Sequence, residues 1–274
     1  AIGLAGAAAD GFDHVRIVLI GKETLASPPV SDDGRAALIW ALRPHYAGLN
    51  DRLVEAGARS IVWDMRFRER AGSDMSDLAA SFGRAVEADI PIVLMDKSWP
   101  ETASKSTVDP VLARAVSAVA SGALRSEADA PWEVVLAAKP GDLDLLPGLS
   151  TAAFALLGHA DAALEIDANN ETQRLEIRRF EYTDRGDREQ VGAMLPVKVS
   201  AWAKTSDAGF TVGLGSGDVY ASMIVPIPEQ AALDDATIAF EDLMGRSPDE
   251  LSAFLNGKVV VVAVSDAVDG EMAE

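Results

Sequence analysis

Five short apolar runs constrain this chain more than any other feature. They are residues 15–21 (VRIVLIG), 59–64 (RSIVWD), 90–96 (IPIVLMD), 132–138 (WEVVLAA) and 258–265 (KVVVVAVS). Each is rich in Val, Ile or Leu, too short for a helix of ordinary length, and bounded by polar or turn residues. That is the signature of a strand buried on both faces. Stretches of helical spacing lie between them. Residues 35–56 read as a helix, with Pro44 as a break or a start; Leu49, Leu53 and Ala56 share a face, and Gly57 stands as the C-terminal cap. Residues 75–88 read as a second helix with Leu78, Phe82, Ala85 and Val86 on one stripe and Asp74 or Ser76 capping its start. Residues 109–120 read as a third, opened by Asp109 and Pro110. Strands alternating with helices predict an α/β fold: a mainly parallel or mixed central sheet with helices on both faces.

The second half is more varied. Residues 151–157 look helical, residues 171–182 (ETQRLEIRRFEY) alternate as a half-exposed strand does, and TDRGDREQ after them reads as a loop. Residues 210–214, 222–226 and 237–240 are weaker strands, and residues 248–255 form a short helix opened by Ser247. No linker divides the chain, so residues 15–274 are expected to form one domain with an elaborated second half. Residues 1–14 are a tail, and their opening AIGLAGAAAD is either a frayed end or the remnant of a signal or membrane segment.

Composition narrows the chemistry. Twenty-four Lys and Arg stand against 43 Asp and Glu, a net charge of −19 that repels nucleic-acid phosphates and anionic lipid. With no cysteine, disulfides and thiolate metal sites are excluded. Three histidines, His14, His45 and His159, lack metal-ligand spacing, so no zinc site and no cofactor is expected. GLGSG at residues 213–217 does not open a helix after a first strand, as a dinucleotide fingerprint must, and reads as a turn. No phosphate loop and no nucleophile elbow occurs. What remains is a set of carboxylates at strand ends. Asp64 closes the second strand, Asp96 the third, and Asp266 follows the last. Ligands of open α/β sheets bind beyond the carboxyl ends of the strands. Any one of these acids more often caps a helix or orders a turn, and Asp64 can simply pair with Arg66 or Arg68. Trp40 and Trp63 read as packing residues; Trp99 and Trp202 lie in less regular segments.

Several motifs together resemble the CHASE2 domain, an extracytoplasmic sensory module of bacterial receptors. The family opens with VxIVxIDxxSL, and residues 15–25 read VRIVLIGKETL. Its Arg-x-x-Tyr-Ala-x-Leu helix leading into LxxAGA is matched by RPHYAGL from Arg43 to Leu49 and LVEAGA from Leu53 to Ala58. Its FDxxF motif is matched by WDMRF from Trp63 to Phe67, and its closing L-x-GKxVxIG strand by Leu255 through Ser265, followed by Asp266. The chain departs where Gly21 and Lys22 replace the usual acid, where ALIWAL replaces a Trp-Pro-rich segment, and where Ser265 replaces a Gly. The resemblance implies a non-catalytic, ligand-sensing domain on the outer side of the cytoplasmic membrane. It also implies an N-terminal anchor, membrane helices beyond the domain and a cytoplasmic output module such as a kinase or cyclase. The candidate ligand-binding residues are Asp64, Arg43, Asp96 and Asp266, with Arg43, besides Arg66 and Arg68, the expected charged companion of Asp64. Two rivals stand beside it: a metal-assisted hydrolase using the strand-end acids, and a structural module whose partner is a second copy, making a homodimer.

Overall fold

The computed structural model describes residues 11–21, 42–67, 74–96, 108–121, 124–125, 132–139, 146–169, 172, 174–183, 185–199, 201–204, 219–225 and 230–264. The first half runs β1 (Val15–Ile20), α1 (Arg43–Glu55), β2 (Ser60–Arg66), α2 (Ser76–Glu87), β3 (Ile92–Asp96), α3 (Pro110–Ala113) and β4 (Ala118–Ser121). Two short segments, β5 (Leu124–Arg125) and β7 (Leu146–Pro147), flank β6 (Trp132–Lys139), and α4 (Leu149–Ala155) follows. Then come β8 (Ala163–Asn169), β9 (Arg174–Tyr182), β10 (Arg188–Lys198), β11 (Ala201–Lys204) and β12 (Val219–Val225). The chain closes with α5 (Gln230–Ala236), β13 (Thr237–Ala239), α6 (Phe240–Gly245), α7 (Pro248–Leu255) and β14 (Val259–Val264).

The central sheet has the order β13-β1-β14-β2-β3-β4, and its described pairings are all parallel. The steps β1→β2, β2→β3, β3→β4 and β13→β14 advance across the sheet in one direction. Right-handed crossovers then put their helices on one face. The core bears this out: Tyr46, Leu49 and Leu53 of α1, Leu78 and Phe82 of α2, Leu112 of α3, Leu243 of α6, and Leu251 and Leu255 of α7 share one cluster. They bury Ile61 and Trp63, Ile92 and Leu94, and Val260 and Val262. The alternate residues Val62 and Val93 face the other way, against Ala152, Ala153 and Leu156 of α4 and its following turn. Beyond α4, the antiparallel sheets β10-β9-β8 and β11-β12-β6-β5 meet through Leu136, Ile166, Leu175, Ile177 and Ala221. Helices therefore lie on both faces: α1, α2, α3, α6 and α7, all within the four crossovers, on the first, and α4 on the second.

The last strand, β14, lies inside the sheet. It pairs with β1 from Val15↔Val259 to Ile20↔Val264 and with β2 from Ser60↔Val259 to Asp64↔Ala263. Gly57 caps α1 as expected, with φ +82°, and its carbonyl accepts from the Gly257 N–H at 2.8 Å, so the turns that deliver β2 and β14 are tied together. Ser247 and Glu250 form a complete capping box on α7.

Three local expectations need correction. The helix expected over residues 109–120 stops at Ala113, and Ala118–Ser121 pairs with Val93–Asp96 as a strand, because sheet pairing outweighs helix propensity in an Ala/Val stretch. The loop expected over TDRGDREQ gives way at Arg188 to β10, which pairs with β9. The second strand does not close at Asp64 but runs to Arg66. Residues 35–41, Trp40, Trp99, the 210–214 strand and the GLGSG turn lie outside the described residues.

Candidate functional site

Two of the motifs singled out in the sequence meet in one aromatic cluster. The Tyr46 ring stands edge-on to Trp63, with centroids 5.5 Å apart, and to Phe67 at 5.9 Å; Trp63 and Phe67 are 5.6 Å apart, and Phe82 of α2 completes the group. Each of these rings is fully buried. Offset and edge-on pairs of this kind stabilise beyond the area they bury. Trp63 is thus a packing residue, as its alternation in the strand implied. Among the described residues, the Tyr46 hydroxyl and the Trp63 indole N–H have no hydrogen-bond partner. Burial pushes the Tyr46 phenol well above its ordinary range, with Arg43 pulling weakly the other way.

Asp64 sits at a break in register. Trp63 pairs with Leu94 of β3, but the next pair is Arg66 with Met95, so Asp64 and Met65 form a bulge on that side, while toward β14 Asp64 still faces Ala263. Bulges re-aim side chains and are frequent beside functional sites. Trp63 and Met65 point into the helix layer, so Asp64 faces the opposite layer, that of Val62 and α4. Asp96, at the end of β3, has the parity of Ile92 and Leu94 and therefore faces the helix layer; it is 1 % exposed. The sheet thus separates the two carboxylates. Arg43 starts α1 on the helix side, the face of Asp96 and not of Asp64. Arg43, Asp64 and Asp96 are each engaged by other groups. Asp266 lies outside the described residues. Among the described residues no group of three or more His, Asp or Glu side chains gathers to hold a metal, and no helix is long and apolar enough to cross a membrane.

Arg43 does line a cleft. The first turns of α1 and α2 diverge at the carboxyl edge of the sheet and leave a space of about 260 Å³ among Arg43, Pro44, Ala47, Asp74, Met75, Asp77 and Leu78. One terminal nitrogen of Arg43 donates to the Met75 thioether at 3.1 Å. Asp74 accepts from both the hydroxyl and the backbone N–H of Ser76, which hold its carboxyl below the usual carboxylate range. α1 has no side-chain N-cap in hydrogen-bond contact, so the positive end of its dipole faces this edge, whereas the Asp74 carboxylate already holds the first N–H of α2, as the capping expected there implied. The cleft offers Arg43 and the start of α1 to an anionic group, Asp74 and Asp77 to a cationic one, and Pro44, Ala47, Met75 and Leu78 to an apolar one.

Sequence reasoning found Arg43 but not the aspartates and Met75 opposite it. The signal was present: in any β-α-β crossover the first helical turn lies at the carboxyl edge, so consecutive helix starts are neighbours there. No family model matches the chain, and no curated protein or solved structure matches it either.

Proposed function

We propose that this chain is an extracytoplasmic sensory domain of the CHASE2 type, binding a small polar molecule without transforming it. The observation that carries the reading is the placement of the final strand. β14 runs between β1 and β2, in register with both, and ends at the same edge as the Arg43 cleft. A ligand that prefers one spacing of α1 and α2 biases β2 through the Tyr46–Trp63–Phe67 cluster, and β2 is hydrogen-bonded to β14. The mechanism is a shift of population between two packings, limited by the ligand's differential affinity for them. In this reading β14 leads on to membrane helices and an output module, and the domain lies outside the cytoplasmic membrane. The motifs from Arg43 to Leu49, Trp63 to Phe67 and Leu255 to Ser265 support it.

The test is a thermal-shift screen of the purified domain against pools of amino acids, small carboxylates and polyamines. At least one pool is expected to raise Tm, and the rise is expected to vanish in Arg43→Ala. A screen with no shift, or a shift that survives Arg43→Ala, contradicts the reading.

A further inference from the structure

A second basic site lies far from the Arg43 cleft in sequence. Arg179 occupies an inward position of β9, in line with the buried Leu175 and Ile177, and is itself only 9 % exposed. A guanidinium stays charged at any working pH, and taking one out of water is costly without a counter-charge. Yet among the described residues Arg179 makes a single hydrogen bond, from Nη2 to the Ala193 carbonyl at 3.3 Å, and its buried Nε has no partner. Three carboxylates of the same sheet are committed elsewhere, while Glu181, on the face of Arg179, stands beside His159. Glu165 and Asp167 pair with Arg178 on the opposite face, Glu165 also with Arg188, and Glu176 approaches Arg178.

The backbone is shaped around this cation. Between Val191 and Leu195 the pairing of β10 with β9 loses register, and within that bulge Gly192 takes φ +68°. A Cβ on Gly192 would lie 2.5 Å from Arg179 Nη2 and 3.7 Å from His159 Nε2. The guanidinium and the imidazole therefore flank the same glycine. His159 comes from the turn after α4, and its Nδ1 lies 3.8 Å from Glu181, which leaves Nε2 turned toward Gly192. Its side chain is 30 % exposed, so the cluster is reached from solvent on that side. Gln190 reinforces the bulge by donating to the Gly192 carbonyl at 3.4 Å.

We infer that Arg179 and His159, gathered at the Gly192 bulge, bind a small oxyanion, a phosphate or carboxylate group of a soluble molecule. The guanidinium supplies unused donors in a planar fork suited to two oxygens, and His159 Nε2 supplies a third nitrogen from another element. The net charge of −19 opposes anion approach at long range. Binding is therefore a short-range effect, seen best at moderate ionic strength. This inference stands apart from the sensory reading.

Calorimetric titration of the intact chain with inorganic phosphate and, separately, with acetate tests it, with chloride holding ionic strength constant. Saturable binding is expected for at least one anion, and which one binds more tightly decides between a phosphoryl and a carboxyl ligand. Affinity is expected to fall at least about tenfold in Arg179→Met and about three- to tenfold in His159→Ala, as the loss of hydrogen-bond partners implies. Arg178→Met, altered on the other face of the same strand, is expected to bind as the unaltered chain does. Absence of saturable binding for both anions overturns the inference, as does undiminished affinity in Arg179→Met. Should Arg179→Met fail to fold, undiminished affinity in His159→Ala overturns it.

Discussion

Gly57 and Tyr46 show how single residues divide between backbone and core. Gly57 holds a left-handed conformation, and a Cβ there would meet Asn256 Oδ1 at 2.5 Å. Gly57→Ala is therefore expected to cost about 1–3 kcal/mol, read as a lower Tm. Asn256→Ala in the same chain should recover the steric part but not the backbone part, and full recovery would show that φ is not strained. Tyr46 presents the opposite case. Its hydroxyl is buried and, among the described residues, unpartnered, so Tyr46→Phe should be neutral or stabilising, whereas Tyr46→Ala should cost about 3–5 kcal/mol. The sign with pH follows from the raised phenol. Below pH ~10 both folded and unfolded chains keep the proton; above it the unfolded chain releases the proton while the folded one holds it. The stability of the unaltered chain should therefore fall more steeply above pH ~10 than that of Tyr46→Phe, as measured by urea unfolding across that range. The inward Arg179 was legible too: in LEIRRF the positions of Leu175 and Ile177 set a parity that places an arginine on the apolar face. What no sequence pattern shows is that His159, twenty residues earlier, meets it at Gly192.

At the scale of elements, the long apolar runs were readable because burial on both faces leaves an unbroken stretch of Val, Ile and Leu. β1, β3 and β14 fall within one or two residues of the runs that announce them. β8 and β10 were not readable: ALEIDAN and REQVGAMLPVK carry charges and glycine because one face meets solvent, and β10 bends at its bulge. The strand-end reading of Asp64 failed for a related reason, since a bulge adds residues without changing composition. Arg52 shows an element held from outside itself. Its guanidinium donates to the Leu243, Met244 and Arg246 carbonyls and so closes the C-terminal end of α6 from α1. Arg52→Ala should cost about 1–2 kcal/mol and speed amide exchange in α6 selectively. Uniform exchange changes across the chain would mean that Arg52 acts on global stability alone.

For the whole molecule, the order β13-β1-β14-β2-β3-β4 has a mechanical consequence. The strand formed last in sequence is flanked on both sides by strands from the first quarter of the chain, so β14 cannot shift without disturbing β1 or β2. The helix layer packs on β2 through Tyr46, Trp63 and Phe67, and the cleft of Arg43, Asp74 and Asp77 opens at the start of that layer. In the proposed sensory reading, occupancy of the cleft is linked to β14 through one hydrogen-bonded step, from β2. Hydrogen–deuterium exchange, with and without the compound that raises Tm in the metabolite screen, tests this most directly. The account predicts altered protection both in residues 43–47 and 74–78 and in Val259–Val264. A change confined to the cleft, with β14 exchanging identically in both states, would contradict it.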